Sequence, residues 1–151
     1  MSLEENKAVV RRFIEAYNNR NLDIFDDVVA PDYVDQTHQQ RGLDNFRQLF
    51  TLAFKAFPDW HEHIEEIIAE GDMVWVRVTA TGTHTGEWSL SGVPIHPTGR
   101  KLAMRMVFIW RVVNGRLTEG REVDDSMEFL RQLGLIEFTG KGKEVFGEDV
   151  G

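Results

Sequence analysis

Apolar residues recur at helical spacing three times within the first 57 positions. Ser2 followed three residues later by Glu5 has capping-box spacing, and Val10, Phe13, Ile14 and Tyr17 then fall at i, i+3, i+4 and i+7. This predicts a first helix running to about Tyr17. Asn21 is placed to cap a short second helix whose Leu22, Phe25, Val28 and Val29 share a face, closed by Ala30-Pro31 because the residue before proline avoids helical geometry. Tyr33 to Thr37 reads as a short extended segment. After Arg41-Gly42, Phe46, Leu49, Phe50, Ala53 and Phe57 again follow one helix face, and Pro58 marks the stop.

From Trp60 the period changes to two. Strands are expected over Trp60 to Ile68, Met73 to His84, Lys101 to Val113 and Arg116 to Asp124, with turns at Gly71-Asp72 and Asn114-Gly115. Thr85 to Arg100 is rich in glycine and proline and reads as an irregular loop between two long strands. Ser126 to Leu133 reads as a closing helical turn, with Gly134 in the left-handed position after it. The expected organisation is one domain over residues 1–138 and a flexible tail over 139–151, whose Val145-Phe146 is available to dock on a neighbour. Three helices followed by a four-stranded antiparallel meander make an α+β domain with the helices on one sheet face. In Met104 to Trp110 both alternating faces are largely apolar, so the outer face also needs cover. A second copy supplies it most simply, and a homodimer or homotetramer packed through the sheet is expected.

The 151 residues include no Cys, 17 basic and 25 acidic side chains, a formal charge of −8 and 42% hydrophobic positions. Disulfide and thiol chemistry are excluded, and the chain can bury a core. The acidic balance repels phosphate backbones and anionic lipid, so neither nucleic acid nor membrane is an expected partner; a hydrophobic small molecule fits better. With no basic region leading into an apolar stretch after Met1, and no window of about 18 apolar residues, the expectation is a cytoplasmic protein.

No nucleophile elbow, phosphate loop, zinc-protease motif or dinucleotide fingerprint is present. His61-x-His63 puts two imidazoles on one side of a strand, to which His84, His96, Glu62 or Glu87 would have to add a metal's remaining ligands; exposed histidines flanked by acids are the plainer reading, and no metal is expected. On the last strand, Thr118, Gly120, Glu122 and Asp124 share one side. If that side meets an apolar pocket, desolvation raises Glu122 toward neutrality and suits it to proton transfer; otherwise Glu119 to Asp125 is a solvated acidic edge paired with Arg121. Val74, Val76, Val78 and Ala80 form an apolar side that pattern alone turns toward the helices, leaving Arg77, Thr79 and Thr81 outside.

Several stretches together resemble the SnoaL-like polyketide cyclases of the nuclear transport factor 2-like superfamily: Ala30-Pro31-Asp32-Tyr33-Val34-Asp35, Ala56-Phe57-Pro58-Asp59, Ala69-Glu70-Gly71-Asp72, Thr81-Gly82-Thr83-His84-Thr85-Gly86, Pro97-Thr98-Gly99-Arg100 and Arg131-Gln132-Leu133-Gly134. The resemblance covers about Glu5 to Leu135. It implies a cone-shaped, cystatin-like α+β fold with N-terminal helices on a curved, mainly antiparallel sheet. It also implies ring closure by intramolecular aldol condensation without metal or nucleotide, with one acid on the last strand moving the proton. Glu122 matches that position, with glutamate for the usual aspartate. Strand Met73 to Thr83 is also similar to that of the limonene-epoxide hydrolases of the superfamily; Arg77 matches their arginine, but Thr79 replaces their aspartate, which argues against epoxide opening. This likeness implies that Arg77 faces the cavity as electrostatic partner of Glu122, against the simple pattern. Gln36 stands where many relatives carry histidine and Phe108 where cyclases often carry a polar partner of the acid. Tyr17, Asp35, Gln36 and Thr79 are the expected polar contacts of the substrate, with Met106 and Phe108 as apolar wall beside Met104. A non-catalytic small-molecule-binding module of the same fold is the alternative.

Overall fold

The computed structural model describes residues 1–147. Helix α1 (Leu3–Asn18) starts on a complete capping box: the Ser2 hydroxyl accepts the Glu5 N–H at 3.1 Å, and the Glu5 carboxylate accepts the Ser2 N–H at 2.6 Å. A 3-10 turn over Leu22–Ile24 leads into the single-turn α2 (Phe25–Val28), and Asn21 makes no side-chain capping bond to it. Helix α3 (Leu43–Ala56) begins after Gly42, whose φ of 97° suits glycine, and stops before Pro58. Phe13 of α1, Phe25 of α2 and Phe46 and Phe50 of α3 interlock, with Phe13 and Phe46 stacked at 5.7 Å.

The sheet has six strands, two more than the pattern predicts. Strands β1 (Val29–Asp35) and β2 (Gln40–Arg41) precede α3, and β3 (His61–Glu70) and β4 (Met73–Thr83) follow it. The separate hairpin is β5 (Trp88–Leu90) with β6 (Val93–Ile95), and β7 (Lys101–Val113) and β8 (Arg116–Asp124) complete the main sheet in the order β2-β1-β8-β7-β4-β3. All its neighbours are antiparallel except β1 and β8, which pair in parallel. Pro31 hid the first half of β1 from pattern reading, and its second half falls in the extended segment expected over Tyr33 to Thr37. Pro31 lacks an N–H, and it lies where the β1–β8 register breaks between Val29 and Val34. The loop expected over Thr85 to Arg100 contains the β5–β6 hairpin, turned by Ser91 and Gly92 at φ 50° and 78°.

Beyond β8, α4 (Ser126–Gln132) is capped by the Asp125 side chain, which accepts the Glu128 N–H. Helix α5 (Gly140–Phe146) lies within the segment expected as a flexible tail, with Phe138 stacked on Phe146 at 4.7 Å; residues 148–151 of that segment lie outside the described part. Val145 and Phe146 are exposed.

Alternation sets the two sheet faces. Val74, Val76, Val78 and Ala80 of β4 and Leu102 to Val112 of β7, every second residue, are buried beneath the helices. Ile68, Trp75 and Val123 are exposed on the outer face, where Val107 and Ile109 are half-buried. Gly120 of β8 is required by close approach: a Cβ there would lie 2.2 Å from the Tyr33 hydroxyl and 2.3 Å from Trp110 Cδ1.

Candidate active site

Glu122 lies on the inner side of β8, directly opposite Phe108 of β7, and two residues on Asp124 lies opposite Met106. Paired residues of antiparallel strands share a face, so the carboxylate is set against an apolar wall. Burial therefore pushes Glu122 up. The nearby His38 pulls it down, Asp124 and Asp35 push it up again, and the group comes to rest at about 7. Its side chain keeps 24% exposure.

His38 arrives from the turn between β1 and β2. Asp35 builds that turn: one carboxylate oxygen accepts the backbone N–H groups of Thr37 and His38 at 3.0 Å each, and the other accepts from His38 Nδ1 at 2.8 Å. The ring is thereby oriented with Nε2 3.8 Å from Glu122 Oε1. The Thr37 hydroxyl accepts the Glu122 N–H at 2.8 Å, tying the turn to β8. The Asp35 bond raises His38 above its ordinary value against the effect of burial. Burial pushes Asp35 up, but the bonds from His38 and Thr37 outweigh it and hold the group low. Asp35, His38 and Glu122 thus form a carboxylate–imidazole–carboxylate chain whose outer acid is charged and whose inner acid titrates near neutrality.

A second acid is buried in the interior. Glu62 of β3 is 5% exposed. Its carboxylate accepts from the Tyr17 hydroxyl of α1, and from Trp60 Nε1 at 3.0 Å. The Asn18 side chain holds the strand itself, accepting the Glu62 N–H at 2.9 Å and donating to its carbonyl at 2.8 Å. Burial drives Glu62 to about 7 despite the Tyr17 and Trp60 bonds, and the charge of Glu122 adds to the rise. Tyr17 is driven well above the usual phenol range by burial and by the charges of Glu62 and Glu122.

Tyr17, Asp35, Met106, Phe108 and Glu122 therefore gather on the helix-covered side, with Tyr17 fully buried in the interior. Three expected residues do not join them. Arg77 points from the outer face and pairs with Glu66 at 3.2 Å, and Thr79 donates to Glu65 at 2.8 Å on that face. The period of two decides this: Val76 and Val78 have to be inside, so residues 77 and 79 are out, and the expected Arg77–Glu122 partnership is corrected. The epoxide-hydrolase likeness loses both its positions with them. Gln36 follows inward-facing Asp35, is exposed, and donates to Glu119 at 3.1 Å.

The residues weighed for a metal are dispersed. His61 and His63 are exposed, Glu62 turns inward between them, His84 is buried against Phe57, and His96 lies 3.5 Å from Glu87 at the surface. Among the described residues no cluster of three His, Asp or Glu is placed to hold a metal ion.

Sequence reasoning missed His38 as the partner of Glu122 and saw Glu62 only as a metal ligand. The available signals were an Asp followed at three residues by His across a turn, and an acid at the inward parity of Trp60-x-Glu62-x-Ile64.

A carboxylate poised at about 7 beside an oriented imidazole, facing apolar side chains, can take a proton from carbon or oxygen and return it. The family model described as SnoaL-like polyketide cyclase matches residues 7–133. Aklanonic acid methyl ester cyclase DnrD of Streptomyces peucetius is 32% identical over 133 residues, covering 83% of this chain and 88% of the relative. Nogalonic acid methyl ester cyclase of Streptomyces nogalater is 29% identical over 127 residues, covering 80% and 91%. The crystal structure of AclR from Streptomyces galilaeus superposes with a TM-score of 0.77 at 29% identity, over 93% of this chain and 87% of that one.

Proposed function

The chain belongs to the SnoaL-like polyketide cyclase family, and on that footing we propose that it closes a ring in a hydrophobic polyketide ester by intramolecular aldol chemistry, with Glu122 as the general acid/base. The observation that carries this is Glu122 itself, held at about 7 opposite Phe108 and beside His38. Ionised Glu122 takes the acidic proton from a carbon flanked by carbonyl groups. The electron pair left behind forms an enolate, whose carbon bonds to a ketone carbon of the same molecule, and the carbonyl pair moves onto oxygen as an alkoxide. Glu122 returns the proton to that oxygen, so substrate and product are isomers and every atom and electron is accounted for. His38, fixed by Asp35 and with Nε2 3.8 Å from the carboxylate, favours ionised Glu122 before the first transfer.

The substrate enters, in this reading, where Glu122 keeps its exposure. Phe108 opposite it and Met106 opposite Asp124 retain 8% and 6% exposure, whereas Val76 and Val78, their partners on β4, have none. The names of the relatives make the methyl esters of aklanonic and nogalonic acid the first compounds to offer. The test is incubation of the purified protein with aklanonic and nogalonic acid methyl esters. A product of unchanged mass, new chromatographic mobility and one added ring is expected, and quantitative recovery of both esters would count against this substrate class.

The exposed Ile68, Trp75 and Val123, with Val107 and Ile109 between them, support self-association of two or four copies through the outer sheet face. No helix among the described residues is long and apolar enough to cross a membrane. We place the reaction in the cytoplasm.

A further inference from the structure

We propose that Glu62 is a positioning residue of this site, a buried proton-exchanging group that decides which way the Tyr17 hydroxyl donates. The network it builds has a chemical peculiarity: a carboxyl group enclosed by α1, β3 and the turn before it accepts from two neutral donors, Tyr17 and Trp60, and, among the described residues, from no cation. The groups facing it are Tyr17 and Asn18 from α1, Trp60 from the turn, Ala80 beside it in register on β4 and, across the interior, Glu122 of β8. Arg20, just beyond α1, donates to the Pro58 and Trp60 carbonyls instead. A buried carboxylate with no cation beside it is costly to ionise, so the position favours a group that takes up and releases a proton.

Only one proton lies between Glu62 and the Tyr17 oxygen. With Glu62 ionised, that proton is the phenol's own, and Tyr17 donates to the carboxylate. With Glu62 protonated, the carboxylic O–H donates to the phenol oxygen, and the Tyr17 proton is released to donate elsewhere. The fully buried Tyr17 feels the charge of Glu122, so the freed donor belongs to the interior that Glu122 faces. Resting on the cyclase reading, the acceptor of that donor is the carbonyl oxygen that becomes the alkoxide during ring closure.

Proton sharing is read by nuclear magnetic resonance without substrate. The chain has two tyrosines, Tyr17 and Tyr33, and four tryptophans, so labelled tyrosine ring carbons and indole N–H signals are assignable with Tyr33→Phe and Trp60→Phe variants. The Tyr17 and Trp60 signals are expected to move together with one midpoint near pH 7. The movement should vanish in Glu62→Gln, and its midpoint should fall in Glu122→Gln, where the neighbouring charge is gone. Absence of a shared titration in the wild type, its survival in Glu62→Gln, or an unmoved midpoint in Glu122→Gln overturns the proposal; the first and third results need no substitution at residue 62.

In turnover, the side-chain amide of Glu62→Gln donates permanently to Tyr17. The wild type is expected to lose about tenfold in kcat/KM between pH 7 and pH 9, while the variant changes less than about twofold. An unaltered alkaline limb in Glu62→Gln overturns the positioning role. If the wild type turns over no ester, the cyclase reading fails while the resonance titration still decides the Glu62–Tyr17 switch.

Discussion

Two acids that titrate near neutrality inside the fold should make this protein lose stability as the solution becomes more alkaline. Glu62 moves from 4.5 to about 7 on folding, and Glu122 does the same. For an acid whose folded value is raised, the native state binds the proton more tightly than the unfolded chain. Its contribution is complete below pH 4.5 and is lost as the pH climbs through 7. At about 1.4 kcal/mol per pH unit, Glu62 alone amounts to about 3 kcal/mol across that window. Glu122 adds to this less than its separate share, because its charge already contributes to the rise of Glu62. His38, also raised in the folded state, acts in the same direction above pH 6.5. Glu128, drawn down to about 2 by Arg131 and Gln132, loses its contribution only as the pH falls below 4.5 and does not interfere. Urea unfolding at fixed temperature from pH 5 to pH 9 measures the effect. The wild type is expected to lose about 3 kcal/mol or more over this range, and the Glu62→Gln, Glu122→Gln double variant to lose much less. A flat or rising wild-type curve, or a slope unchanged in the double variant, refutes the assignment of the two buried acids.

Replacing Gly120 by Ala forces a methyl group into the hydrogen-bonded Tyr33–Trp110 pair, and overpacking together with loss of that 3.1 Å bond should cost about 3 kcal/mol in urea unfolding. His38→Gln removes the cation that favours ionised Glu122, so the acid limb of the kcat/KM profile should move to higher pH; an unmoved limb would detach His38 from the site. Arg77→Ala, on the outer face beside Glu66, should leave kcat/KM within about twofold when assayed on the purified protein. Trp75→Glu should reduce the particle mass measured by light scattering if copies meet through the sheet, and an unchanged mass would place the interface elsewhere.

The long elements were legible because their periods are strong. Val10, Phe13, Ile14 and Tyr17 named the α1 face, and Val74, Val76, Val78 and Ala80 named the inner side of β4, whereas Met104 to Trp110 is apolar on both alternating sides. Strand β1 was not legible as sheet because Pro31 interrupts it and its partner β8 lies some 90 residues away in parallel, a pairing no local pattern announces. The hairpin in the Thr85 to Arg100 segment was hidden by its three-residue strands and by Ser91 in a left-handed position where glycine or asparagine is usual. At the site, parity puts Glu122 on one side of β8 with Gly120 and Asp124 but leaves open whether that side is buried, and the family resemblance is what singles it out. The alternation of Val74, Val76 and Val78 sets Arg77 outward, and the likeness to the epoxide hydrolases does not carry over to that position. His38 is brought to Glu122 by the side-chain turn of Asp35, and Glu62 acquires its meaning from Tyr17, 45 residues earlier; both depend on tertiary proximity.

The most direct test of the account is the rate of ring closure by Glu122→Gln, with ligand affinity measured in parallel on the same methyl ester. Loss of the acid/base should lower turnover by about 10²- to 10⁴-fold while the dissociation constant stays within a few-fold, since the amide keeps the shape of the side chain and removes only its proton chemistry. Turnover within a few-fold of the wild type would contradict the central role given to Glu122.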